Sequence, residues 1–177
     1  MTKYITLLLS VVASGALFAQ SQQAIRDQIF GETDAVKKQA EDLNAKVLAP
    51  KSYAEGMEIY LEAVDTMEKG KDLQRVREEL AEAKGHFQHA VEASNLARTT
   101  FTQAIAARAA AEKAESAQFA AKDWQRAEQA LTAAAATLEG GNLNKAAKDG
   151  KGAQERYRAS QRKRRFGTRS YSPEFHT

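Results

Sequence analysis

Cysteine is missing from this chain altogether, and that one absence closes three routes. The fold cannot be stapled by disulfides, it cannot carry the lipid-modified cysteine of a bacterial lipoprotein, and it has no thiol nucleophile. Proline is nearly absent too, limited to Pro50 and Pro173, so long stretches are free to stay helical. Aromatic residues make up 7% of the chain, and they fall at repeating positions: Tyr53, Tyr60, Phe87, Trp124 and Tyr157. A core with so few large side chains is thin, about two helices across, with alanine letting backbones approach closely. Histidine is confined to His86, His89 and His176. No Gly-x-Ser-x-Gly elbow and no phosphate-cradling glycine loop occur, and Gly140-Gly141 reads as a turn between helices.

What is present is alanine, charge and helical periodicity. That mixture argues for an all-α protein and against sheet. Met1 to Ala19 has the layout of a secretory leader: Lys3, then an uncharged and mostly apolar run from Ile5 to Phe18, then a small residue. Cleavage is expected after Ala19, with Ala16 as the competing site. The apolar run is shorter than the ~17–20 residues that a membrane span needs, so export is the expected outcome.

Along the rest of the chain, Ile25, Ile29, Val36, Ala40, Leu43 and Val47 mark one face of a helix over Ser21–Leu48. Ala49-Pro50 breaks it, because the residue before a proline is pushed out of the helical region. Ser52 and Glu55 stand at capping-box spacing. The next helix carries Tyr53, Met57, Tyr60, Val64 and Met67 on one face and stops at Gly70. Asp72 is a suitable N-cap for a third helix. From Asp72 to Phe119 the pattern predicts a single uninterrupted helix, with Leu73, Val76, Leu80, Ala83, Phe87 and Ala90 on its apolar stripe, which continues more weakly through Ala97, Phe101, Ala104, Ala111 and Phe119.

The second half then echoes the first. Phe119-Ala120-Ala121-Lys122-Asp123-Trp124 stands seventy-one residues after Leu48-Ala49-Pro50-Lys51-Ser52-Tyr53, with Asp123 in the place of Ser52 as expected N-cap. At the same offset Phe30 pairs with Phe101, Ala40 with Ala111, Ala63 with Ala134 and Glu68 with Glu139. After the Gly140-Gly141-Asn142 turn, Leu143, Ala146, Ala153 and Tyr157 mark a last helix at an offset of seventy, pairing Phe87 with Tyr157. The pattern reads as a duplicated unit whose central helix serves both copies.

The helix openings Ala49-Pro50-x-x-Tyr53 and Ala120-Ala121-x-x-Trp124, each followed by Ala63 or Ala134, a glycine turn and an alanine-rich helix with an aromatic, carry a resemblance. Over Ala49–Ser160 the chain resembles the uncharacterised bacterial envelope family catalogued as domain of unknown function 4398, and more broadly a tetratricopeptide-like helical hairpin. The resemblance implies an envelope location, in a family whose members are often lipoproteins or precede peptidoglycan-binding domains. This chain departs from it in having neither a lipidation cysteine nor such a module.

Candidate chemistry is sparse. His86 and His89 lie three apart, with Glu82 four before His86, a spacing that can begin a transition-metal site. A solvated helix face is the expected reading, and no metal, cofactor or catalytic residue is assigned. The carboxylates interleave with lysines at helix-surface spacing, as Glu78, Glu79 and Glu82 do beside Lys84. The unusual local feature is charge of one sign. Residues 151–177 hold eight basic and two acidic groups, against seventeen and twenty-one over residues 20–150. Arg162, Lys163, Arg164 and Arg165 form the densest run and are the candidate binding site for an anionic surface.

The sequence therefore predicts an all-α, elongated antiparallel bundle of about five helices with a long shared central helix. The expected divisions are a leader at 1–19, a helical repeat domain at 20–160 with units of about 22–90 and 93–160, and a basic, largely disordered tail at 161–177. The expected role is a non-enzymatic scaffold or adaptor of the bacterial cell envelope, in the periplasm or secreted. Its partners would be an envelope protein and, through the tail, anionic lipid, lipopolysaccharide or cell wall. Nucleic acid is not an expected partner of an exported chain. A periplasmic binding or chaperone-like protein and a self-associating coiled-coil rod remain as alternatives, and the oligomeric state is open.

Overall fold

The structure, a computed structural model, describes the backbone of residues 9–70 and 72–167 and the side chains of 24–70 and 72–163. The leader assigned to Met1–Ala19 lies outside the described side chains, and residues 168–177 of the expected tail lie outside the described residues. Among the described residues the fold is all-α, with eight helices and no strand. They are α1 (Leu9–Asp42), α2 (Ala45–Leu48), α3 (Pro50–Glu68), α4 (Leu73–Thr100), α5 (Thr102–Lys113), α6 (Ser116–Phe119), α7 (Ala121–Glu139) and α8 (Leu143–Gly167). None is long and apolar enough to cross a membrane.

Packing divides the helices into two bundles joined end to end. In the first, α3 and α1 close on α4 around Phe30, Tyr60, Val76, Leu80 and Phe87. The Phe30 and Tyr60 rings meet edge to face at 5.7 Å, and Tyr60 meets Phe87 at 6.3 Å, pairs worth about 0.5–1.5 kcal/mol beyond their burial. In the second, α7 and α5 close on α8 around Phe101, Leu131, Leu138 and Tyr157. Ala40, Ala45, Ala49 and Ala90 form a third, small alanine cluster, where the lack of larger side chains lets α2 lie close to α4.

The ends of the helices follow local chemistry. Asn44 and Glu115 take left-handed backbone (φ 60° and 53°) after α1 and α5, and Ala49 and Ala120 adopt similar non-helical conformations (φ −146°, ψ 59° and φ −136°, ψ 42°) ahead of α3 and α7. Gly70 and Gly141 sit at φ 62° and 80° in the turns after α3 and α7, a region that costs other residues about 1–2 kcal/mol. The Asp72 side chain accepts from Gln74 N at 2.9 Å and caps α4 as expected.

Four expectations need correction. The helix expected over Asp72–Phe119 is not continuous: it bends at Phe101 and stops at Lys113. The hydrogen-bond ladder does run through the bend, from Phe101 N to Ala97 O and from Ile105 N to Phe101 O, so α4 and α5 are one helical line with a kink. Its cause is the run Thr99-Thr100-Phe101-Thr102. The three threonine hydroxyls donate back to the carbonyls of Leu96, Arg98 and Thr99, which loosens and bends a helix. Second, Ser52 and Glu55 form no capping box, and Asp123 is no N-cap. Helices α3 and α7 start earlier, at Pro50 and Ala121, behind Ala49 and Ala120, whose side chains offer no cap. Third, Leu73, Phe119 and Leu143 fall on apolar stripes yet are exposed. Fourth, α8 continues to Gly167, so residues 161–167, expected in a disordered tail, have helical backbone.

Candidate functional site

Two places concentrate polar or open surface: the junction between the bundles, and the far end where α7 begins and α8 finishes. At the junction the Glu139 carboxylate, on the last turn of α7, reaches the first turn of α3. It accepts from Lys51 N at 3.0 Å, Ser52 N at 3.0 Å and Ser52 Oγ at 2.8 Å. These are amides that α3 cannot satisfy within itself, and a carboxylate there also complements the positive end of the helix dipole. The cap that Glu55 was expected to give comes instead from a residue far along the chain, on the other bundle. Leu48, from α2, drops into the second bundle's core and is 5% exposed.

Beside this contact runs an apolar groove of about 860 Å³. Val47, Pro50 and Ala54 form one wall and Thr132, Ala133 and Ala136 the other, with Lys46, Lys51 and Glu128 at the rim. It was not foreseen. Its residues are small and scattered over three helices, so no local pattern announces it.

Next to the groove, within the second bundle, lies a partly buried polar cluster. The Arg108 guanidinium donates to Glu128 at 2.7 Å and 3.2 Å and lies 5.5 Å from the Trp124 ring centroid. The Tyr157 hydroxyl donates to the same Glu128 carboxylate, and its ring meets Trp124 edge to face at 5.5 Å. Tyr157 is fully buried, and burial, then the hydrogen bond to Glu128, hold its phenol far above the usual tyrosine range. In the first bundle Tyr60 donates to Asp34 at 2.6 Å, and burial followed by that bond pushes its phenol up to about 12. Each cluster joins helices, with a partly exposed acid shared between a tyrosine hydroxyl and an arginine.

The histidines do not converge. His86 Nδ1 lies 3.1 Å from Glu55 across the α3–α4 interface, while His89 faces outward 3.9 Å from Glu92. Among the described residues no three ligating side chains come together.

At the far end, the four residues of the basic run divide. Arg162 is exposed. Lys163 Nζ lies 2.6 Å from Asp123 Oδ2 on α7, and that hydrogen bond holds the Asp123 carboxyl below its usual range. Ser160, one turn before, is fully buried, so packing continues past Tyr157. The side chains of Arg164 and Arg165 lie outside the described residues. Asp123 itself sits in the first turn of α7, beside Arg126 at 3.8 Å. Compared with family models, curated proteins and solved structures, the chain has no match.

Proposed function

We propose that this chain is an exported, non-enzymatic helical scaffold or adaptor of the bacterial cell envelope, made of two copies of one three-helix unit along the shared line of α4 and α5. Duplication is supported by corresponding features seventy-one residues apart: left-handed Asn44 and Glu115, Ala49 and Ala120 with similar non-helical backbone, and nineteen-residue helices α3 and α7. Buried Phe30 and Phe101 occupy corresponding places in the two cores.

The observation that carries the scaffold reading is the use made of polar side chains. Glu139 caps α3, Arg108 and Tyr157 share Glu128, and Glu55 meets His86. Each joins one helix to another. The surface left for partners is the outer helix faces and the basic end, and the resemblance of Ala49–Ser160 to an envelope family points the same way. The basic end would hold the chain reversibly on an anionic envelope component, at ~1 kcal/mol per basic group close to the surface. The groove beside Pro50 and Ala133 favours a second reading, a periplasmic binding or chaperone-like protein that takes an apolar segment there.

The basic end is tested by cosedimentation with anionic vesicles or cell-wall sacculi. Arg162→Gln with Arg164→Gln and Arg165→Gln should lose binding and keep the wild-type melting curve. Lys163 is retained because it pairs with Asp123. Wild-type binding should fall between about 0.1 and 1 M salt, where the screening length drops from ~10 to ~3 Å. Binding indifferent to both salt and substitution would overturn the anionic-surface role.

A further inference from the structure

The groove beside the junction is apolar inside and carries positive charge at its rim. Lys46 and Lys51 stand exposed on the α2–α3 side, and among the described residues neither ammonium forms an ion pair. The acids on the adjoining turns are held elsewhere. Glu41 bonds to Lys37 and Tyr53, and Asp42 to Lys38. Across the groove, Glu128 is taken by Arg108 and Tyr157, and Glu139 by the first amides of α3.

The α7 wall is free of acid where the matching face of α3 is rich in it. Gln129, Ala133 and Ala136 on α7 stand seventy-one residues after Glu58, Glu62 and Asp65, all three exposed on α3. Acids at the α7 positions would look across the groove at Lys46 and Lys51 and neutralise them. With glutamine and alanine there, the two ammoniums are left for an anion from outside the chain. The same alanines make the space. At about 860 Å³ the groove lies in the ~300–1,000 Å³ range of small-molecule sites.

We propose that this groove binds a single-chain anionic amphiphile, of which a fatty carboxylate is the simplest. Its chain would lie along Pro50, Ala133 and Ala136, and its head group between Lys46 and Lys51. This rests on the binding-protein reading of the groove and adds to it the chemistry of the occupant. Burial of methylenes supplies the affinity, and the paired ammoniums set the orientation. A concave site with one wall from each bundle takes one chain rather than the flat face of a bilayer. An occupant touches both bundles, so binding also raises the stability of the joint.

Isothermal titration of the delipidated full-length chain with laurate, below the concentration at which laurate forms micelles, tests this. Laurate should bind saturably and more tightly than octanoate, by up to about fourfold for each methylene buried. Lys46→Gln with Lys51→Gln should weaken laurate at least about tenfold, as loss of hydrogen bonds to charge does, and leave the uncharged ester monolaurin unchanged. Ala133→Trp should abolish binding of both, and since Ala133 is exposed neither variant should lower the melting temperature. Absent laurate binding, binding indifferent to Ala133→Trp, or lysine substitutions that weaken monolaurin as much as laurate would each overturn the inference. A short leucine-rich peptide separates the two readings. If it binds where laurate does not, the fatty-chain assignment fails and the binding-protein reading stands; if neither binds, both fail.

Discussion

Glycines 150 and 152 lie two residues apart on α8, and replacing each by alanine should move stability in opposite directions. A methyl at Gly150 would stand 2.5 Å from Phe101 Cδ1 and 2.9 Å from Cε1, while a methyl at Gly152 meets nothing within 4 Å. Both substitutions gain about 0.8–1 kcal/mol because alanine is the better helix former. At Gly152 that gain stands alone, and the variant should be stabilised by about 1 kcal/mol. At Gly150 the Phe101 ring must be displaced by roughly 1 Å to reach ordinary carbon–carbon contact. Overpacking of this kind costs about 1–3 kcal/mol. The cost is not easily relieved, because Phe101 is itself buried at the kink between α4 and α5. The difference between the two variants should equal the overpacking cost, which at about 2–4 °C per kcal/mol for a chain of this size is roughly 2–12 °C in melting temperature. Adding Phe101→Leu should recover part of the loss in the Gly150→Ala background. Melting curves followed by circular dichroism give the answer. If both alanine variants shift upward together, Phe101 does not wedge against α8 at Gly150.

Three further outcomes rest on the same contacts. Leu48→Ala should cost about 2–5 kcal/mol in a urea titration, as for a leucine removed from a closed core; a loss below half of that would mean that α2 does not enter the second bundle. Glu139→Ala should cost about 1–2 kcal/mol through the lost cap on α3, and slow amide exchange at Lys51 and Ser52 in the variant would contradict the cap. Stability should fall at alkaline pH. Tyr60 is held at about 12 when folded, against ~10 when unfolded. Its contribution is complete below pH 10 and is lost as pH rises through 12, because the unfolded chain releases the proton first. Absorbance at 295 nm showing every tyrosine ionising near pH 10 in the folded chain would refute that burial.

The parts of the fold that were legible in the sequence are those whose cause is local. Pro50, Gly70, Asp72 and Gly141 each stop or start a helix through their own backbone or side chain, and the apolar spacing placed Val76, Leu80, Phe87 and Tyr157 in the core. Misreadings arose where a local pattern had a stronger competitor. Ser52 with Glu55 matched a capping box, but Pro50 suits the first helical position and moved the start of α3 three residues earlier. The kink at Phe101 had a signal in Thr99-Thr100-Phe101-Thr102 that helix periodicity outweighs on paper. Periodicity also identifies a face without saying what covers it, so Leu73, Phe119 and Leu143 sat on stripes and are exposed. The Glu139 cap and the Arg108–Glu128–Tyr157 cluster join residues twenty to ninety positions apart. Nothing near any one of them in the chain announces its partner.

The scaffold reading stands or falls on where the protein is and what touches it. A photocrosslinking amino acid placed at Ala133 in the groove, at Leu61 on α3, and at Glu78 on α4 would report both in intact bacteria that make the chain. The expected outcome is protein in the envelope fraction, with a discrete adduct to an envelope protein from at least one of the first two positions and none from Glu78. Recovery in the cytosol, or irradiation that yields no adduct from Ala133 or Leu61, would contradict it.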